Sequence, residues 1–207
     1  MDWRFAATAF ATAFTIIDPI GMIPFTLAVT AGVGAERRRA IVDQAVLFAA
    51  GIVLFMGVLG KALFDGLGIT LPAFTIAGGI LLLLIAIDML FARPTGAKAT
   101  PGEEHPSENP AVFPLAIPMI AGPGTIATVI LLLEPLHGKP LSIAVVAAAF
   151  ATALFATWLC MRAATLLLRV IGKTGINAIT RVLGIILAAL AVQFVLNGLH
   201  EIRGVLP

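Results

Sequence analysis

The first apolar run of this sequence is broken by Asp18-Pro19-Ile20-Gly21-Met22-Ile23-Pro24. A carboxylate there could do two kinds of chemistry. It could bind a substrate ammonium or carry a proton. It could equally cap a half-helix beginning after Pro19, because Asp accepts bonds from the orphan amides of a helix start. The two roles do not exclude each other. An ionised side chain in a bilayer costs about 2.5–3.5 kcal/mol on insertion scales, so it pairs or faces a wet cavity. Pro19 and Pro24 remove backbone donors and clash with the preceding turn, and Gly21 tolerates unusual dihedrals. The freed backbone groups must be buried in protein or line a cavity. A second interruption, Gly122-Pro123-Gly124, is followed by Thr125 and Thr128. Their hydroxyls could satisfy freed carbonyls or bind a polar ligand. Asp18, Pro19, Gly21, Gly122, Pro123, Gly124, Thr125 and Thr128 form the candidate substrate-binding set.

Three further polar residues are secondary candidates. Asp88 falls near the end of an apolar segment, just before Arg93, and reads as an interfacial carboxylate. Gln193, Asn197 and His200 recur at about one helical turn on one face. That face reads as an outer vestibule or as a solvated helix end. Asp43 and Gln44 follow Arg37-Arg38-Arg39; a negative charge near a helix start is favourable, so Asp43 reads as structural. His105, His137 and His200 show no zinc spacing, and no phosphate-binding loop is present. No Ser, His and Asp fall at mutually plausible depth for a hydrolase. No metal, cofactor or enzymatic activity is expected. The single Cys160 excludes an intrachain disulfide and reads as apolar filler.

The elements that must position these residues follow from composition. Of 207 residues, 60% are hydrophobic and 12% charged, and mean hydropathy is +1.07. A soluble domain is about half apolar and a quarter charged, so most of this chain is expected in lipid. A net charge of +2 gives no reason to expect nucleic acid as a partner. Met1-Asp2-Trp3-Arg4 lacks the basic run of a signal peptide, so the first apolar segment is expected to remain a span. Six segments reach the ~20 residues that a span needs: 5–30, 41–62, 71–92, 111–134, 141–161 and 178–199. Residues 93–110, rich in Pro, Gly, Glu and Lys, read as a solvated linker. Residues 161–175 place Arg162, Arg169 and Lys173 beside a Leu cluster. They read as a flat interfacial helix or as the basic end of the fifth span. Nine of the thirteen Lys and Arg fall on the side of the linker. Positive loops stay inside, so the linker is expected in the cytoplasm and both termini outside.

The chain also repeats. At an offset of 105, Gly79 meets Gly184, Ala86 meets Ala191 and Asp88 meets Gln193. At an offset of 104 the two interruptions coincide. The expected fold is an all-α membrane protein of six transmembrane helices. Residues 1–92 and 111–207 form two three-helix halves, each with an interrupted first helix. An odd number of spans inverts the second half, and inverted repeats with discontinuous helices mark secondary transporters.

The stretches Asp18-Pro19-Ile20-Gly21-Met22-Ile23-Pro24-Phe25, 113–130 and 181–199 resemble the MarC family of small bacterial membrane proteins. The resemblance covers nearly the whole chain. It implies six spans with both termini outside the cytoplasm, in the bacterial inner membrane, near the LysE-type amino-acid exporters. The expected function is a secondary transporter of small neutral solutes, amino acids foremost, by export or exchange. The expected partners are that solute, the bilayer, protons or sodium as coupling ion, and further copies of the chain. The alternative is a membrane partner or regulatory protein with no flux of its own. Polar breaks at depth favour the transporter, since a scaffold does not need them.

Overall fold

The computed structural model describes residues 3–91, 109–136 and 138–203. The described residues are helical and include no strand. Helix α1 spans Trp3–Ile17 and α2 spans Met22–Val29. They meet at Asp18, whose φ of 48° is left-handed, a region in which Asp is several-fold enriched. The Asp18 N–H donates to Phe14 O at 3.0 Å, and the Met22 N–H donates to Asp18 O at 3.1 Å. One residue thus ends one ladder and begins the next.

Helix α3, Ala35–Leu67, starts six residues before the expected span. Its 33 residues rise about 50 Å, more than the ~30 Å hydrocarbon core. It stops at Gly68, at φ 64°, with the Gly68 N–H on Asp65 O and the Ile69 N–H on Phe64 O. That bond pair terminates a helix by satisfying its last carbonyls. Helix α4 is Leu71–Leu90. The linker expected at 93–110 lies outside the described residues except at its last two positions.

The segment Ala111–Ile120 is irregular: Phe113 and Ile117 are extended, each directly before a proline. A proline pushes its predecessor out of the helical region. After Gly122, helix α5 runs Pro123–Leu133 with Pro at its first position, where a missing N–H costs nothing. The chain bends by 52° between these two pieces. A short turn, Glu134–Leu136, leads to α6, Pro140–Arg203.

Helix α6 absorbs both segments expected at 141–161 and 178–199. A straight helix would hold Val146 and Phe194 about 70 Å apart. Yet Val146 shares a groove with Val129 of α5, and Phe194 lies against Gly124, also of α5. The run therefore doubles back between its two apolar stretches, Pro140–Ala164 and Gly184–Ile202. By length and composition, four described helices can cross a membrane: Trp3–Val29, Ala35–Leu67 and those two stretches of α6. The bent pair Ala111–Leu136 makes a fifth, and α4 is a shorter apolar helix over Leu71–Ile87.

Packing follows small residues, as it does where lipid removes the hydrophobic drive between helices. A Cβ on Gly79 would stand 2.7 Å from Ala191 O. One on Gly184 would stand 3.1 Å from Ala86 O, and one on Gly198 2.8 Å from Pro72 O. These contacts run α4 antiparallel to the end of α6. The larger core joins α1, α3, α5 and the start of α6. A smaller one gathers Phe25, Leu82, Ile85, Ala86, Leu187 and Ala191.

Candidate ligand cavity at two helix breaks

The two interruptions, about a hundred residues apart in sequence, line one cavity of about 100 Å³. From the first break come Asp18, Gly21 and Met22; from the second come Pro118, Met119, Gly122, Gly124 and Thr125. Leu82 of α4 and Leu187, Leu190 and Phe194 of α6 complete the wall, with Ile16, Ile17 and Phe25. The volume is about three waters' share of liquid, far below the 300 Å³ or more typical of drug-sized ligands.

Proline and glycine explain why the chain breaks there. At the first break Pro19 follows Asp18 and is fully buried. Asp18 Oδ1 accepts from the Gly21 N–H at 3.1 Å, which closes the turn leading into α2. A Cβ on Gly21 would collide with the Asp18 carboxylate, so Gly at 21 is what lets Asp18 fold over the start of α2. Asp18 remains exposed and lines the cavity. At the second break a Cβ on Gly122 would strike Pro118 O. Thr125 Oγ1 donates to Ile120 O at 2.8 Å, so its hydroxyl satisfies a carbonyl that the break frees. No side chain caps the start of α5, which leaves first-turn amides of the orphan kind at Gly124 and Thr125 beside the cavity.

Of the residues expected from sequence, Asp18, Gly21, Gly122, Gly124 and Thr125 come together. Pro19 and Pro123 do not line the cavity. Pro123 packs on α4 where a Cβ on Gly78 would overlap it, and Pro19 is buried behind the wall. Thr128 is half-buried a turn further along α5, outside the lining. The side chain of Asp88 lies outside the described residues. Gln193 and Asn197 bond to each other on an exposed face of α6, away from the breaks. The apolar wall of Leu82, Met119 and Phe194 carries no signal of its own in the sequence. The prolines spaced at 114 and 118 do mark that segment as irregular.

Among the described residues no group of His, Cys, Asp and Glu could hold a metal. Two charged clusters lie elsewhere. Arg38 is buried and closes α2: Nε donates to Thr30 Oγ1 at 2.7 Å, and Nη2 to Thr30 O at 3.0 Å and Val33 O at 2.9 Å. Asp43 is structural, as expected, but for another reason. It lies two turns inside α3, too far from the helix start for the dipole to act. Its carboxylate is held by Arg162 and by the Trp158 Nε1–H at 2.8 Å, with Arg162 stacked over the indole at 4.9 Å.

A family model described as MarC family integral membrane protein matches residues 3–203. The chain belongs to the MarC family. It is 38% identical over 203 residues to a UPF0056 membrane protein of Aquifex aeolicus, covering 94% of this chain and 92% of that one. A UPF0056 membrane protein of Methanocaldococcus jannaschii is 34% identical over the full length of both chains. The UPF0056 inner membrane protein YhgN of Escherichia coli K12 is 34% identical over 186 residues, 89% of this chain and 91% of its own. No solved structure matches the chain. As a MarC family member this is an integral membrane protein, in agreement with its apolar helices.

Proposed function

We propose that this protein is a secondary transporter of small neutral solutes, amino acids foremost, by export or exchange, with no enzymatic activity of its own. The observation that carries the reading is the shared cavity: two helix breaks supply one carboxylate and one uncapped helix start to the same small space. A zwitterion needs that pairing. The Asp18 carboxylate and the carbonyl ends of α1 suit an ammonium. The start of α5, with its partial positive charge, suits a carboxylate. The volume suits a small side chain.

The architecture that goes with this function is six spans in two inverted halves, with both termini outside the cytoplasm and the linker inside. Reciprocal contacts support it. Gly79 meets Ala191 O while Gly184 meets Ala86 O, and an offset of 105 converts each pair into the other. Two copies related by a two-fold axis make contacts in such pairs. The E. coli relative is named an inner membrane protein, which supports the same location in a bacterial cell. Asp18 would bind the amine or hand over a proton, with protons or sodium as the coupling ion.

Flux decides the matter. Liposomes containing only this protein are expected to accumulate labelled alanine, and to do so faster under a proton or sodium gradient. Absence of flux for alanine, glycine, serine and leucine alike would leave the protein as a membrane partner without transport.

A further inference from the structure

Gln193 and Asn197 sit where a lipid-facing helix should carry no polar group. Gly184–Ile202 is apolar enough to cross a bilayer, and Gln193 falls within it. One side of this stretch, Gly184, Leu187, Ala191 and Gly198, is buried against the rest of the protein. Gln193 and Asn197 are exposed. Gln193 Nε2 donates to Asn197 Oδ1 at 2.7 Å. A primary amide has two donors and an acceptor. Three N–H groups and the Gln193 carbonyl therefore find no partner among the described residues. In hydrocarbon such groups are costly and drive helices together.

A second observation is the spacing. Val182, Ile186, Ala189, Gln193, Leu196 and His200 alternate steps of four and three, and every one is exposed. That is the spacing a seam of two helices packed along their length uses, and a single polar residue in such a seam sets register and partner number. This stretch is also the least covered of the four candidate spans, 17% buried against 22–39% for the others.

We propose that this seam of α6 joins two copies of the chain, with Gln193 of each copy hydrogen-bonding Gln193 and Asn197 of the other. Copies inserted the same way are related by a two-fold axis along the membrane normal, so residues at equal depth meet. An amide is its own complement as donor and acceptor, which favours a like copy over an unlike partner. The proposal goes beyond the transport reading and does not depend on it.

Cysteine crosslinking in native membranes tests it. Cys160→Ser first removes the native thiol. On that background Ile186→Cys is expected to give a covalent dimer under mild oxidation, at least fivefold above Val192→Cys. Val192 is equally exposed but lies about 120° round the helix from Ile186. Adding Gln193→Leu should cut the dimer yield severalfold, while Gln193→Asn should retain most of it. Val182→Cys offers a second seam position if Ile186→Cys is not monodisperse in detergent. Equal yields at 186 and 192 would overturn the proposal. So would rapid labelling at 186 by an impermeant maleimide without dimer, which would make the face a water-filled vestibule. Neither dimer nor labelling would make it a lipid face and would overturn the proposal too.

Discussion

Arg162 grips Asp43 across 119 residues of sequence, its Nη2 lying 2.7 Å from Oδ1 and 2.6 Å from Oδ2. Trp158, one turn earlier on α6, donates to the same carboxylate and stacks under the guanidinium. The cluster ties α3 to α6 with three polar groups that share one another's bonds. Arg162→Lys keeps the charge and loses both the fork geometry and the stacking surface. It should therefore destabilise almost as much as Arg162→Gln, by roughly 0.5–1 kcal/mol for so exposed a pair. Thermal unfolding in detergent checks this, and an unchanged Tm for Arg162→Lys would reduce the pair to a surface contact.

Asp18 separates capping from ligand binding. Asn caps about as well as Asp, so Asp18→Asn should stay monodisperse and keep its Tm while losing alanine flux at least tenfold. Asp18→Ala should lose flux and also roughly 1 kcal/mol of stability. Full flux from Asp18→Asn would leave only backbone groups at the breaks to hold a substrate.

Gly124 keeps the cavity open. Its Cβ would stand 2.9 Å from Ile16 Cδ1 and 3.3 Å from Phe194 Cε1. These are side-chain ends that can yield a little, so Gly124→Ala should fold and transport more slowly. Gly124→Val places two further methyls in about 100 Å³ and should abolish flux with the protein still folded. Gly66→Val serves as the control, because a Cβ there meets nothing within 4 Å. Equal flux from both valine variants would remove the cavity from the transport path.

Gly79 and Gly184 should answer alike if the halves are copies. Each faces a backbone carbonyl that cannot swing aside. Gly79→Leu and Gly184→Leu should each force α4 and α6 apart and lower stability by roughly 1–3 kcal/mol, as overpacking does. A large loss at one position and none at the other, measured by thermal unfolding in detergent, would count against a two-fold relation.

The charge distribution makes a prediction about sidedness. With nine of thirteen basic residues on the side of the linker, Thr100→Cys on a Cys160→Ser background should resist impermeant thiol reagents in intact cells. It should react once the membrane is permeabilised. Ready labelling in intact cells would reverse the orientation.

The breaks were legible in the sequence because proline and glycine act on their own backbone. Pro19 and Pro123 cannot donate to a helix wherever they are packed, so both interruptions could be placed without knowing any neighbour. The apolar stretches were legible too, since the bilayer is a uniform solvent, but only four of the described helices, five with the bent pair, have the length and composition of a span. Choice of partner was not. Arg37, Arg38 and Arg39 are chemically identical in sequence, yet only Arg38 turns inward to close α2, because helix rotation points that one position at Thr30. Asp43 looked like a helix-start charge until α3 was seen to begin at Ala35 and α6 to bring Arg162 beside it. The cavity wall of Leu82, Met119 and Phe194 reads in sequence like any other greasy residues. What the chain alone determined is where its backbone must break. Which side chains meet at the breaks was decided by tertiary packing, because depth and rotation of each helix are set by its neighbours rather than by its own residues.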